Sequence, residues 1–276
     1  MTTRPSAVPL HCDENGTGKS GTGAPPLLLV HGWGGDAGEW APHLAAWSRR
    51  HRVLAPDLRG HGRSPAPAGG AYGPHDFAAD LAALLHRLDT GPVVAVGHSM
   101  GGQAVTALAV EHPALVRAVV VLDPAYGADD AELARLPGEQ EALRAEGAAW
   151  AVRFVRGAFG PHTPPEVRAR HERLMAAMDP DVLARCRDGM YLAPDAFGAR
   201  AAARAYLARR RCPVLGVYSN EAAADWERAS LTHPYSRIEA WPECGHYLHE
   251  DRREALVELV EEWTAGLDEP GATTYP

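Results

Sequence analysis

The chain has 276 residues, of which 46% are hydrophobic and 22% charged, enough for one large α/β domain with an inserted subdomain. A formal net charge of −8, with no basic run longer than Arg209-Arg210-Arg211, argues against a nucleic-acid partner. No apolar stretch reaches membrane-spanning length, and Met1 to Gly23 holds no signal-peptide core, so no membrane partner and a cytoplasmic location are expected.

The elements follow in order. The first two dozen residues are polar and allow one edge strand around Ala7 to Cys12. Pro26 to Val30 is a short apolar run ending in His31-Gly32-Trp33-Gly34-Gly35. Trp40, Leu44 and Trp47 fall at helical spacing, and Val53 to Ala55 reads as a buried strand. Phe77, Leu81, Leu84, Leu85 and Leu88 mark an amphipathic helix. The strand Val93 to Val96 then leads through a turn at Ser99 into a helix ending near His112, and Val116 to Leu122 is a β-branched strand. Strands alternating with helices in this way specify a mostly parallel sheet with helices on both faces.

From Pro124 to Arg211 the alternation stops. The pattern there is helical, interrupted by Pro137, Pro161, Pro164, Pro165, Pro180 and Pro194. Strands resume at Pro213 to Tyr218 and Arg237 to Trp241, and a last helix spans about Arg252 to Ala265. The expected organisation is an α/β core of residues 1–123 and 212–276 with a helical cap of residues 124–211.

Gly97-His98-Ser99-Met100-Gly101 fits G-x-S-x-G with a strand before it and a helix after. A sharp strand-to-helix turn strains the serine, and side chains two residues to either side would collide. The helix N-terminus behind it favours developing negative charge. Acyl transfer also needs two backbone N–H groups aimed at the carbonyl oxygen. Met100 follows the nucleophile and would give one; the loop after His31-Gly32 would give the other, from Trp33, whose indole would also form pocket wall. His246, in Cys244-Gly245-His246-Tyr247-Leu248-His249, lies after the last strand, where a general base must sit to reach Ser99; His249 is its local competitor.

Together with Asp57-Leu58-Arg59-Gly60-His61-Gly62-Arg63-Ser64, these segments resemble the α/β-hydrolase superfamily over nearly the whole chain outside the helical insertion. The resemblance implies a Ser-His-acid triad beneath a cap, with a structural role for Asp57 to Ser64. Serine at 99 argues against the haloalkane dehalogenase and epoxide hydrolase branches, which use aspartate there.

The acid departs from the pattern. Most relatives carry an aspartate after the strand that follows the cap, where this chain reads Ser219-Asn220-Glu221-Ala222. Asp123, ending the strand before the cap, is the expected third member. Glu221 and Asp225 are the alternatives, and an incomplete triad is a third possibility. Lactonases of the zearalenone-hydrolase type also place their acid before the cap, though it is glutamate.

Ser99 is thus expected to attack an ester or lactone carbonyl, with His246 as base, Asp123 orienting it, and Trp33 and Met100 holding the oxyanion. Tyr126, Trp150, Phe154 and Tyr191 supply apolar cap surface suited to a hydrophobic small molecule, with Trp150 and Phe154 an i,i+4 pair. A ligand receptor or slow single-turnover binder, or carbon–carbon cleavage and other chemistry with the same residues, are the competing readings. No metal or cofactor is expected, and no feature bears on oligomeric state. Cys12, Cys186, Cys212 and Cys244 are scattered and read as free thiols. Gly16-Thr17-Gly18-Lys19-Ser20 imitates the end of a phosphate-binding loop but lacks its first glycine and a strong strand before it. Arg209-Arg210-Arg211 is expected to be solvated surface.

Overall fold

A computed structural model describes residues 7–16 and 24–267. Residues 17–20 of the loop-like GTGKS segment lie outside them. The sheet has seven strands: β1 (Cys12–Asn15), β2 (Leu27–Val30), β3 (Val53–Pro56), β4 (Val93–His98), β5 (Val116–Leu122), β6 (Val214–Tyr218) and β7 (Arg237–Ala240). Their order is β1-β3-β2-β4-β5-β6-β7; β1 runs antiparallel to β3 and every other pairing is parallel.

Period-two alternation sorts the strand residues into two cores. Leu28, Val30 and Leu54 face α2 (Pro74–Leu88) and α3 (Met100–Glu111), packing with Phe77, Leu81, Ala104 and Leu108. Leu27, Leu29, Val53 and Ala55 face the other way, against Trp40, Trp47 of α1 (Ala41–Trp47), and Leu256, Val260 and Trp263 of α10 (Arg253–Gly266). Burial on both faces is why these strands read as continuous apolar runs rather than alternating ones.

The helices α4 (Asp130–Glu146), α5 (Ala148–Arg156), α6 (Pro165–Ala177), α7 (Pro180–Arg187) and α8 (Arg200–Leu207) all fall between β5 and β6. Pro165 and Pro180 open their helices at N1, where no intrahelical N–H is needed, while α4 continues through Pro137. A π-turn over Asp188–Leu192 extends α7. No described helix is long and apolar enough to cross a membrane.

Two local expectations are corrected and one element is added. The edge strand is Cys12–Asn15, because upstream backbone groups bond side chains instead: Val8 N–H to Asp80 Oδ1 at 2.7 Å and His11 N–H to Ser64 Oγ at 2.9 Å. Residues after β6 form a helix, α9 (Glu221–Arg228), capped by Asn220, whose Oδ1 accepts from Ala223 N–H at 3.1 Å. Finally, Arg210 is buried rather than solvated, because its guanidinium pairs with buried Glu227 at 2.6 Å.

Candidate active site

Ser99 stands between β4 and α3 at φ 51°, ψ −114°, a conformation that costs a non-glycine residue about 1–3 kcal/mol. The surroundings over-determine it. Ser99 N–H donates to Leu122 O at 2.9 Å, and Ser99 O accepts from Gly102 and Ala125 N–H at 2.9 and 3.0 Å. The flanking glycines are sterically required: a Cβ on Gly97 would lie 2.3 Å from Gly101 O, and one on Gly101 would lie 2.2 Å from Val30 O.

The loop of residues 31–35 leaves β2 beside this turn. Two imidazoles staple it to residues 57–64. His31 donates from Nδ1 to Gly32 O at 2.8 Å and accepts Leu58 N–H on Nε2 at 3.0 Å. His61 donates from Nδ1 to Arg59 O at 3.0 Å and accepts Gly34 N–H on Nε2 at 3.3 Å. Asp57 caps Ala37 N–H at 2.7 Å and Arg63 N–H at 2.9 Å, while Arg59 grips Asp80 through two bonds of 2.6 and 2.7 Å. Residues 57–64 therefore hold the loop in place. Within that frame, neither the Trp33 nor the Met100 backbone N–H is hydrogen-bonded to another described residue. Two free donors at a strand end and a helix start can receive an anionic oxygen.

His246 follows β7, and its N–H is anchored on Ala158 O at 2.9 Å. Its Nδ1 lies 3.2 Å from Asp123 Oδ2. Asp123 ends β5 at φ 40°, and Ser219 donates to it twice, from N–H to Oδ1 at 2.7 Å and from Oγ to Oδ2 at 2.5 Å. Burial alone would push this carboxyl up; the hydrogen bond and charge of His246, with the two Ser219 bonds, hold it below the usual value. The alternatives are placed elsewhere. Glu221 and Asp225 are exposed on α9, and Asp225 pairs with Arg228. Ala222 instead lines the cavity. His249 is fully buried.

Ser99, His246 and Asp123 share the wall of a cavity of about 580 Å³ with Trp33, Tyr126, Phe154 and Tyr191. Among the described residues Ser99 Oγ and His246 form no hydrogen bond; such pairs commonly tighten only in the reacting complex. Trp33 is fixed by its indole N–H, which donates to Leu183 O of α7 at 3.0 Å. Tyr191 comes from the π-turn, a local irregularity with no sequence signature. Trp150 does not line the cavity; it stacks behind Phe154, ring centroids 5.1 Å apart. The wall is also more polar than the aromatic pattern implies, because Asp129, Glu132, Arg135, Arg187 and Arg200 contribute to it.

Several residues escaped the sequence reading. Ser219 lay in plain view directly after β6, but its value depends on which carboxylate serves His246. Glu227 is buried and binds Tyr126 Oη at 3.0 and 3.1 Å, which fixes that ring in the wall. Glu39 and His98 form a sealed pair under the site. Glu39 sits in a polar stretch, and nothing local distinguishes it from a surface glutamate.

Comparison with known proteins agrees with this architecture. Over 134 residues the chain is 35% identical to the (E)-2-((N-methylformamido)methylene)succinate hydrolase of Acinetobacter baylyi, covering 49% of this chain and 48% of that protein. The chain thus spans about half the length of the curated relatives it matches. A thermophilic esterase from Thermogutta terrifontis superposes with a TM-score of 0.77 at 26% identity, over 94% of this chain and 93% of its own. The enol-lactonase of Burkholderia xenovorans, at 22% identity and TM-score 0.79 over 93% and 96%, shares the fold. Residues 25–187, which carry the strained serine and both donor N–H groups, match the alpha/beta hydrolase fold, and the chain belongs to that family.

Proposed function

We propose that the protein is a serine hydrolase that cleaves a small ester or lactone with a hydrophobic body through Ser99, His246 and Asp123, without a cofactor. The observation that carries this reading is the bond between His246 Nδ1 and Asp123 Oδ2, 3.2 Å long, in a cavity that also holds the strained Ser99. Asp123 fixes the tautomer that leaves His246 Nε2 free to take a proton. Ser99 Oγ gives that proton to His246 and attacks the carbonyl carbon, and the oxygen that becomes negative is held by the Trp33 and Met100 N–H groups. The carbon–oxygen bond to the leaving alcohol then breaks as His246 returns the proton to it. Water, deprotonated by His246, releases the acid from Ser99.

Each oxyanion donor is worth about 3–4 kcal/mol in such sites. The test is steady-state turnover of a p-nitrophenyl ester panel by wild type and Ser99→Ala, together with fluorophosphonate labelling. Turnover that is lost with Ser99 supports the reading. Labelling without steady-state turnover would identify a receptor or single-turnover binder.

A second reading, that the substrate also carries an anionic group, has its own support. Arg135, Arg187 and Arg200 line the cavity, and Arg200 makes no ion pair among the described residues; its Nε donates to Gly127 O at 3.1 Å. The Acinetobacter relative is named for a succinate. On this reading Arg200→Gln raises KM about 10-fold for a p-nitrophenyl hemisuccinate and leaves that for the butyrate unchanged, one charge-assisted bond being worth roughly 1.5–3 kcal/mol. Equal effects on both esters would remove it.

A further inference from the structure

Beneath Ser99 lies a second carboxylate–imidazole pair that the chemistry above does not use. Glu39 and His98 are 0% and 1% exposed, and Glu39 Oε1 is 2.8 Å from His98 Nδ1. The other nitrogen of His98, Nε2, is 3.0 Å from the backbone carbonyl of His246. The other oxygen of Glu39, Oε2, accepts the N–H of Gly32 at 3.3 Å. Gly32 directly precedes Trp33, His98 directly precedes Ser99, and His246 is the base. One buried pair thus touches all three catalytic segments, which come from chain positions more than two hundred residues apart.

Building on the mechanism above, we propose that Glu39 and His98 are positioning residues that lock the oxyanion loop, the nucleophile turn and the His246 loop into one register. The donor count supports it. Both partners of His98, a carboxylate and a peptide carbonyl, only accept, so the ring makes both bonds when it carries two protons. The Glu39 charge balances that ring. Burial alone would raise the Glu39 carboxyl, but the charge and hydrogen bond of His98, with His249 close by, hold it well below its usual value. His249 Nε2 sits 3.1 Å from Glu39 Oε1 without forming a hydrogen bond to it.

The same three side chains bring ligand-type atoms within 4.8 Å of one another. A metal site does not follow, because both His98 nitrogens are already engaged, by Glu39 Oε1 and by the His246 carbonyl. Nor does the pair offer an atom to substrate: Glu39 does not line the cavity, and His98, which borders it, has both ring nitrogens engaged by Glu39 and the His246 carbonyl. Its effect runs through the His246 carbonyl and the Gly32 N–H, where a displacement of about 1 Å in a catalytic group can cost on the order of 100-fold in rate.

The experiment compares Glu39→Gln with the double variant Glu39→Gln/His98→Leu. Glutamine can still accept from Gly32 and can donate its amide to a singly protonated His98, so the His246 carbonyl keeps its donor. The double variant buries no charge but leaves that carbonyl without His98. With p-nitrophenyl butyrate, Glu39→Gln is expected to lose 3- to 10-fold in kcat and the double variant roughly 30- to 100-fold, with KM within twofold of wild type. Histidine ¹⁵N spectra should show His98 protonated on both nitrogens in wild type and on one in Glu39→Gln.

The proposal is overturned if the double variant keeps the kcat of Glu39→Gln. It is also overturned if Glu39→Gln matches wild type in both kcat and the His98 spectrum, a result available even should the double variant fail to fold. Ser99→Ala, run alongside, separates the two layers. Wild-type turnover by Ser99→Ala would remove the hydrolase mechanism itself, whereas an inactive Ser99→Ala beside a fully active double variant would remove only the positioning role.

Discussion

Two of the molecule's acid–imidazole pairs meet at the candidate site in opposite settings. His246 and Asp123 are 3.2 Å apart, with side chains 33% and 11% exposed, on the wall of the cavity. His98 and Glu39 are 2.8 Å apart and sealed. On the proposed mechanism, what separates a base from a strut is therefore access rather than composition. The proposed proton transfer at His246 requires an Nε2 not spent on a protein acceptor, whereas both nitrogens of His98 are committed. The open pair can cycle; the closed one can only hold.

The sharpest way to break this contrast is at Asp123. Asp123→Asn keeps the shape but loses the charge and the preference for the productive tautomer, and kcat should fall on the order of 10⁴-fold with KM little changed. Single-turnover rates on a p-nitrophenyl ester would measure it. A near-normal rate, with loss in Glu221→Gln or Asp225→Asn instead, would return the acid to α9. A smaller effect is expected at Ser219→Ala, which removes the 2.5 Å donor to Asp123 Oδ2 while the backbone N–H bond to Oδ1 stays. About 10-fold in kcat corresponds to one charge-assisted bond. No change would mean that the peptide N–H alone orients the carboxylate.

These two residues also show what the sequence made legible. Ser99 and His246 are legible as candidates because of their settings: glycines two positions either side of Ser99 serve only a tight turn, and Gly245-His246 directly follows the last strand, ahead of its competitor His249. Asp123 is legible as the candidate acid from a gap, the alanine at 222, together with a strand end. The β-strands read well because burial on both faces leaves a plain apolar run. Ser219 and Glu39 were not readable, because each acts through a partner distant in the chain: 96 residues for Ser219 and Asp123, 59 for Glu39 and His98. Trp150 was misplaced for a related reason. Helical spacing establishes that it and Phe154 share a face but not which of them stands in front. The π-turn that presents Tyr191 is a departure from helical period and leaves no mark in an ordinary polar–apolar pattern.

The smallest predicted effect probes a third setting, imidazoles buried without a carboxylate partner. His43 and His61 are held neutral, with their pKa values lowered to about 3. For His43 burial is the main cause, followed by the charge of His249; for His61 burial again leads, followed by the charge of His31. In the unfolded chain each would take up a proton near pH 6.5. Between pH 6.5 and 3 the unfolded state therefore binds more protons than the folded one. The stability these residues contribute is complete above about pH 6.5 and is lost as pH falls toward 3. The limiting slope is about 1.4 kcal/mol per pH unit for each histidine. His43→Gln retains a donor for His249 O, now 3.1 Å from Nε2, and removes one titrating group. Urea unfolding at pH 6.5 and pH 5 should then show a fall in stability smaller than wild type by roughly 1.5–2 kcal/mol. Asp123, whose carboxyl is held low, loses its contribution only below the carboxylate range, so it does not mask the difference in this window. An unchanged pH slope would mean that water or a local opening reaches His43 in the folded protein, and the division into open, sealed and neutral imidazoles would lose its third member.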